Sequence, residues 1–354
     1  MPQVLVNRKN LPKTIVDACK HDTHRTNGDI SVTTLIDAPR IRILKRMHDY
    51  EVDVMDNLYM LMGTALHHIL ERANINDERK RAFIMTAETI MLKAKDFQES
   101  APDKAAQLER AANYIFQLIP VFFPEIASRY IYEITLTLEH DGMEISGTFD
   151  LYDKVDKILY DYKFCSVYQW IFPESRKKWK EQTNIYAYML HKKGYEVNGI
   201  KIVAFFRDWS EHGMIKNRDY PDAQIKEIPI SLGNPQISEH WTETVAKYIS
   251  KRVDIHRRAE QGDIDDCTGA DRWAKADEWA VKQKGGKRAI SGGKFDKKEA
   301  AEGIVIANRH KYSEPLQIEY RHGDSVKCEK YCPVSQFCEQ RKKELAEKKL
   351  RGEN

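Results

Sequence analysis

Long apolar runs are the first thing this sequence lacks. No stretch of about 20 residues is apolar enough to span a bilayer, and the N-terminal segment has no apolar block of the secretory kind. Both absences predict a protein of the cytoplasm, with no membrane partner. Cysteine is scarce: Cys19, Cys165, Cys267, Cys328, Cys332 and Cys338 are the 6 in 354 residues. So few thiols in a reducing compartment do not build a disulfide framework. Excess charge is scarce as well, with 57 Lys and Arg against 54 Asp and Glu, a formal net charge of +3. A polyanionic partner is neither indicated nor excluded by that balance, because cations can gather locally. No Gly-x-x-x-x-Gly-Lys-Ser/Thr run is present, which excludes a P-loop ATP motor in this sequence. Internal repeats are lacking too.

What is present suffices for a sizeable core: 42% of residues are hydrophobic and 10% aromatic. The length allows one large domain or two ordinary ones. Residues 1–30 read as a polar, irregular arm, followed by a short capped helix over Ile30 to Leu35 and a new segment at Pro39. Leu61, Ala65, Leu66, Ile69 and Leu70 recur at helical spacing and predict a helix from 58 to about 73. Further helices are expected over 79–99 and 103–119, the latter stopping near Pro120. The pattern then changes to alternation, and a strand is expected over 131–139, with two more around 145–152 and 158–164. A helix over 177–193 ended by Gly194, and a buried strand over 200–206, complete the core. The fold class is therefore α/β of the α+β kind: a mixed central sheet flanked by helices, with a helical N-terminal region. The expected layout is 1–57 arm and helices, 58–253 core with a helical insertion at 79–119, and 254–354 a basic, cysteine-containing tail.

One stretch within the core carries chemistry. Residues 147–163 read GTFDLYDKVDKILYDYK, β-prone at both ends and charged in the middle. A hairpin turn centred between Val155 and Asp156 sets Asp150 opposite Asp161, and cross-strand partners have Cβ atoms roughly 4.5–5.5 Å apart. Lys163, two residues after Asp161, shares the same face. Two carboxylates so close repel each other. A divalent cation removes the repulsion, and hard oxygen ligands suit Mg²⁺ or Mn²⁺. A lysine beside the metal can orient or deprotonate a water, or stabilise charge on a phosphate.

Asp, about ten residues, then Asp-x-Lys resembles the PD-(D/E)xK nuclease superfamily. Gly63-Thr64-Ala65-Leu66-His67 resembles the Gly-x-x-x-His motif of its RecB-type members, and Gln182-Thr183-Asn184-Ile185-Tyr186 their Gln-x-x-x-Tyr motif. Glu133 lies where several relatives carry an extra acid. The order of these residues and of the elements over 58–207 matches the family. The resemblance implies a restriction-endonuclease-like fold and a Mg²⁺- or Mn²⁺-dependent DNA exonuclease. It implies metal ligation by His67, Asp150, Asp161 and the backbone carbonyl of Tyr162, with Glu133 as an indirect ligand. Lys163 would position the attacking water, Gln182 would hold Lys163 or the phosphate, and Tyr186 would support a base or sugar.

Cys328-x3-Cys332-x5-Cys338 gathers three thiols in the tail, a set that suits Zn²⁺ or an iron–sulfur cluster. It resembles the C-terminal clasp of iron–sulfur RecB-type nucleases, whose fourth cysteine precedes a Pro-Arg pair near the N-terminus. Here Ala38 stands before Pro39-Arg40. Cys19 is the candidate fourth ligand, with His322 near the trio, and a zinc site or a metal-free clasp are the alternatives.

For DNA contacts the candidates are Arg176, Lys177, Lys178 and Trp179 at the start of the Gln182 helix, and Lys287 and Arg288 on a mobile basic loop. Trp273, Trp279, Lys282 and Lys284 extend the second group, and Arg40, Arg42, Lys45 and Arg46 form another basic stretch. Expected partners are DNA ends or single strands and a helicase or single-strand annealing protein, in the recombination, repair or replication of a phage or prokaryote. The alternative from another class is a non-catalytic DNA-end-binding subunit of a helicase or recombination complex. A sequence-specific endonuclease is a third reading, but nothing in the sequence reads bases.

Overall fold

The computed structural model describes residues 3–20, 28–73, 78–98, 100–122, 129–233 and 240–351. The chain divides into two compact units, one of Leu5–Ile36 and Asp53–His256, the other of Met1–Val4, Asp37–Val52 and Arg257–Asn354.

The larger unit is built on a five-stranded mixed sheet in the order Ile225–Ile230, Gly199–Phe206, Ile158–Cys165, Leu151–Asp153, Tyr130–Tyr132. Its centre is the parallel pair Ile158–Cys165 and Gly199–Phe206. Parallel strands need a crossover, which the helix Lys177–Lys192 supplies. Gly194 ends that turn of chain at φ +89°, and the Tyr195 N–H returns to the Leu190 carbonyl. Ile200, Ile202, Ala204 and Phe206 alternate into the interior. Leu159 and Ile200 pack there with Ile185, Tyr186, Met189 and Leu190 of the crossover helix. The helix Trp241–Glu260, absent from the sequence reading, adds Val245, Ile249 and Val253 at four-residue spacing to the same core. Its Arg252 and His256 side chains both bond the Leu35 carbonyl, at 2.8 and 3.1 Å.

Two expected strands are each broken in two. The alternation over 131–139 becomes Tyr130–Tyr132, an edge of the large sheet, and Thr135–His140, which joins Met143–Thr148 and Ile30–Ser31 in a second sheet. The switch is made at Glu133, whose φ of +43° turns the backbone out of the strand. Left-handed backbone at a non-glycine residue costs about 1–2 kcal/mol, so packing on both sides must hold it. The expected 145–152 strand likewise ends at Thr148 and resumes at Leu151, with Phe149 buried between. Period-two alternation reports a strand and says nothing about which sheet receives it. The arm contains the helix Lys13–Lys20, while its residues 21–27 lie outside the described residues. The helix expected to stop near Pro120 runs Pro102–Phe122, with the proline in its last turn.

Asp153 closes the hairpin after Leu151–Asp153. It is 2% exposed, its Oδ2 accepts from Arg129 Nε at 3.0 Å, and its Oδ1 accepts from the Val155 and Asp156 amides. Burial pushes this carboxyl up, but Arg129 and the two amides outweigh it and hold it below the ordinary carboxylate range. A depressed native pKa stabilises the fold above the unfolded pKa and is lost as pH falls through the native one. Asp153→Asn removes the charge and keeps an acceptor. Its urea midpoint is expected below that of the parent at pH 7, and the gap is expected to close as pH falls below about 4.

The smaller unit carries a three-stranded antiparallel sheet in the order Ala289–Phe295, Glu278–Gln283, Leu316–Arg321, with the helix Lys298–Asn308 against it. The supposed loop at Gly285-Gly286 is the turn between two of these strands, with Gly285 at φ +78° and the Gly286 N–H bonded to the Gln283 carbonyl. The basic stretch on the helix Pro39–Met47 is consumed within this unit. Arg40 pairs with Asp266, and Arg42 and Arg46 both pair with Glu260. Among the described residues no helix is long and apolar enough to cross a membrane.

Candidate active site

The strand Ile158–Cys165 turns Leu159, Asp161 and Cys165 into the interior. Asp161 thus takes a core-facing place that a hydrocarbon would ordinarily fill, and is 2% exposed. On the neighbouring strand Leu151 faces Tyr160 and Asp153 faces Ile158. One further step of that register puts Asp150 across from Asp161. Asp150 is fixed from two sides: its Oδ2 accepts the Tyr162 amide at 2.6 Å, and its Oδ1 lies 3.2 Å from His67 Nδ1. His67 projects from the helix Val54–Ala73 and sets its ring edge to face against Tyr162, centroids 6.1 Å apart. His68, next on that helix, is exposed.

Lys163 Nζ lies 2.7 Å from Asp161 Oδ2 and donates to Gln182 Oε1 at 3.0 Å. Gln182 Nε2 in turn donates to the Tyr186 hydroxyl at 3.0 Å. Gln182 and Tyr186 are one helical turn apart, so the crossover helix presents both to the strand. The structure therefore brings His67, Asp150, Asp161, Lys163, Gln182 and Tyr186 into one connected group. Glu133 stands apart in kind. Its side chain is exposed at the break between two strands, and its amide bonds the Asp150 carbonyl at 3.1 Å.

Each carboxylate of the site is paired with one basic side chain, Asp161 with Lys163 and Asp150 with His67. Burial raises the Asp161 carboxyl to about 6, with Asp150 adding to the rise and Lys163 opposing it. Burial alone would lower Lys163, but the Asp161 and Asp150 carboxylates outweigh it and its pKa is raised. Lys163 is thus held as an ammonium, a donor and not a base. Burial also opposes protonation of His67, and Asp150 again wins, raising it. With His67 neutral, as a metal ligand must be, two carboxylates sharing one buried ammonium leave a net negative charge in low dielectric, where isolated charge is costly. Asp161 Oδ2 is buried and, among the described residues, receives no hydrogen bond of good geometry; the Lys163 ammonium is an ion pair only. Such an oxygen, beside Asp150 and an imidazole, is a donor set suited to Mg²⁺ or Mn²⁺. Among the described residues no three such side chains are already drawn round one point, because each carboxylate here faces a cation of the protein itself.

Gly147 explains how the helix sits so close. A Cβ there would lie 2.5 Å from Tyr186 Cε1 and 2.8 Å from Val32 Cγ2. Only a residue without one admits the Tyr186 ring over the second sheet.

The expected DNA contacts fare unevenly. Trp179 packs against the buried cluster of Ile202, Ala204 and Phe206, so its face is not a free platform. Arg176 is half-buried, which lowers its pKa, while Lys177 is exposed and 3.9 Å from Glu181. Lys178 is half-buried, and Lys287 and Arg288 are exposed beside their turn. Lys282 is bound to Glu319 at 2.5 Å. A pair the sequence did not reveal is Tyr59, 59% exposed two turns before His67, with the Arg207 guanidinium 4.4 Å over its ring. The Arg207 amide bonds the Cys165 carbonyl at the end of the Lys163 strand. No local motif joins residues so distant in sequence.

In the smaller unit Cys328, Cys332 and Cys338 line one cavity of about 20 Å³. Its fourth thiol is Cys267, which the sequence reading passed over. Cys19 belongs to the helix Lys13–Lys20 of the other unit, and His322 lies 3.7 Å from Asp277.

Against known families, the chain matches the PD-(D/E)XK nuclease superfamily over residues 43–339, a span that holds the whole connected group. The chain belongs to this superfamily. PD-(D/E)XK nucleases are metal-dependent hydrolases acting on DNA, and the mixed sheet with its flanking helices is their restriction-endonuclease-like fold. No curated protein matches the chain. Among solved structures it is similar to one named "Crystal structure of SSO0001", at 13% identity and a TM-score of 0.34, over 68% of this chain and 83% of that one.

Proposed function

We propose that this PD-(D/E)XK nuclease is a DNA exonuclease that uses Mg²⁺ or Mn²⁺ and digests ends or single strands. Its setting would be the recombination, repair or replication of a phage or prokaryote, beside a helicase or annealing protein. The observation that carries the proposal is the buried Asp161–Lys163 pair facing Asp150 and His67. His67, Asp150, Asp161 and the Tyr162 carbonyl would hold the metal, with Glu133 reaching it only indirectly. A bound dication there neutralises phosphate charge and lowers the pKa of water. Lys163, kept protonated, donates to the attacking water or a phosphate oxygen as charge develops. Gln182 holds the ammonium in place, and Tyr186 anchors Gln182. The exposed Tyr59–Arg207 pair offers a stacking face and a cation to a single strand, and Arg176, Lys177, Lys287 and Arg288 offer phosphate contacts. The cysteine trio would be the seat of a structural iron–sulfur or zinc centre.

End-labelled linear DNA provides the test. With Mg²⁺ or Mn²⁺ the full chain is expected to release mononucleotides. EDTA is expected to reduce the rate to background, and added metal to restore it. Discrete fragments would instead mean an endonuclease. Retention of DNA ends without digestion at any metal concentration would mean a binding subunit.

A further inference from the structure

Four thiols, not three, line the cavity of the smaller unit, and the fourth arrives from far away in sequence. Cys267 is pinned there through its backbone: its amide donates to Gln340 Oε1 at 2.8 Å, and Gln340 Nε2 donates to its carbonyl at 3.0 Å. Gln340 lies two residues after Cys338, whose position caps the helix Glu339–Leu350. One glutamine therefore locks the Cys267 segment to the turn that carries Cys338. Cys328 lies on the short helix Val326–Lys330, and the Cys332 amide bonds back to the Lys327 carbonyl at 2.7 Å. Ala38, Ile41 and Val334 form an apolar wall with Cys267 and Cys332 packed against it.

Among the described residues no three of these thiols are yet drawn round one point, and thiolates brought together there would repel one another until a cation joined them. The surroundings are nonetheless cationic. Arg341, 8% exposed, lines the cavity, as do Arg272 and Lys327. Arg272 Nε is buried with no hydrogen-bond partner among the described residues, a donor that can meet a sulfur carrying charge. A four-thiolate centre carries net negative charge, which such a lining would offset.

We infer that Cys267 joins Cys328, Cys332 and Cys338 as the fourth ligand of one thiolate-bound metal centre. Four thiolates suit a zinc ion or an iron–sulfur cluster. The inference rests on reading the trio as a metal seat, and is independent of the nuclease site.

The test uses the full chain purified without oxygen. Metal analysis is expected to find about one zinc, or about four irons with absorbance near 400 nm, per chain; which it is names the centre. Cys267→Ser is expected to lose at least about four-fifths of that metal, and Cys19→Ser to keep it all. Should Cys267→Ser fail to fold, alkylation of the metal-loaded parent decides. Cys19 is expected to react at once with iodoacetamide, and Cys267, Cys328, Cys332 and Cys338 only after chelation. A metal-free parent would overturn both the trio as a seat and the inference. Full metal in Cys267→Ser, or Cys267 alkylated as fast as Cys19 in loaded protein, would overturn the inference alone. DNA cleavage would be untouched by either result.

Discussion

Asp161→Asn is expected to lower the DNA cleavage rate by about 10³-fold or more at saturating Mg²⁺. Several kcal/mol of transition-state charge stabilisation is what a metal supplies, and each 1.36 kcal/mol is tenfold in rate. The amide is isosteric, so the loss would not come from misfolding. Stability is expected to move the other way. Burial holds the Asp161 carboxyl at about 6, above its ordinary value. An acid whose native pKa is raised costs stability as pH rises past the unfolded pKa. At pH 7 without metal, Asp161→Asn is therefore expected to melt no lower than the parent. Lys163→Ala is expected to abolish cleavage also, but to destabilise, since it strands a buried carboxylate at a cost of about 3–5 kcal/mol. The double variant Asp161→Asn/Lys163→Met should recover stability and remain inactive. Full cleavage by Asp161→Asn with either metal would remove Asp161 from the chemistry.

Gly147→Ala should damage the enzyme without touching a charge. The added methyl meets the Tyr186 ring at 2.5 Å and Val32 at 2.8 Å, and both neighbours are almost fully buried. Overpacking of this kind costs about 1–3 kcal/mol, visible as a lower urea midpoint. The ring cannot retreat alone, because its hydroxyl holds Gln182 and Gln182 holds Lys163. Cleavage is expected to fall with stability. Tyr186→Leu in the Gly147→Ala background removes the clash with the ring and leaves the one with Val32, so the two changes should couple favourably in a stability cycle without full recovery. It also removes the hydroxyl, so part of the stability should return without activity. A Gly147→Ala protein as stable and active as the parent would refute this account of the close approach.

Much of this site could be read because local geometry fixes it. Asp161 and Lys163 share a face through the pleat, Asp150 follows from a hairpin register, and Gln182 and Tyr186 from one helical turn. His67 could be placed on a helix but not against Asp150, which depends on how that helix lies across the sheet. The break at Glu133 was hidden because both halves keep the same alternation. Trp179 read as a platform because a tryptophan beside lysines looks the same whether its ring faces solvent or core. Arg40, Arg42 and Arg46 read as a free basic stretch because Glu260 and Asp266 are remote in sequence. Cys267 was overlooked for the same reason: a solitary thiol carries no spacing by which to recognise it.

The smaller unit contains a detour with a closed neck. The chain leaves at Lys275, whose amide bonds the Asp324 carbonyl at 3.0 Å, and Ala274 bridges Ser325 beside it. Gly323 lies so near that a side chain there would strike the Lys275 carbonyl, 1.8 Å away. The three-stranded sheet and the helix Lys298–Asn308 lie in sequence between the two sides of this neck. Cys267 and Cys328 flank this neck on either side, so the excursion starts and finishes beside the thiols.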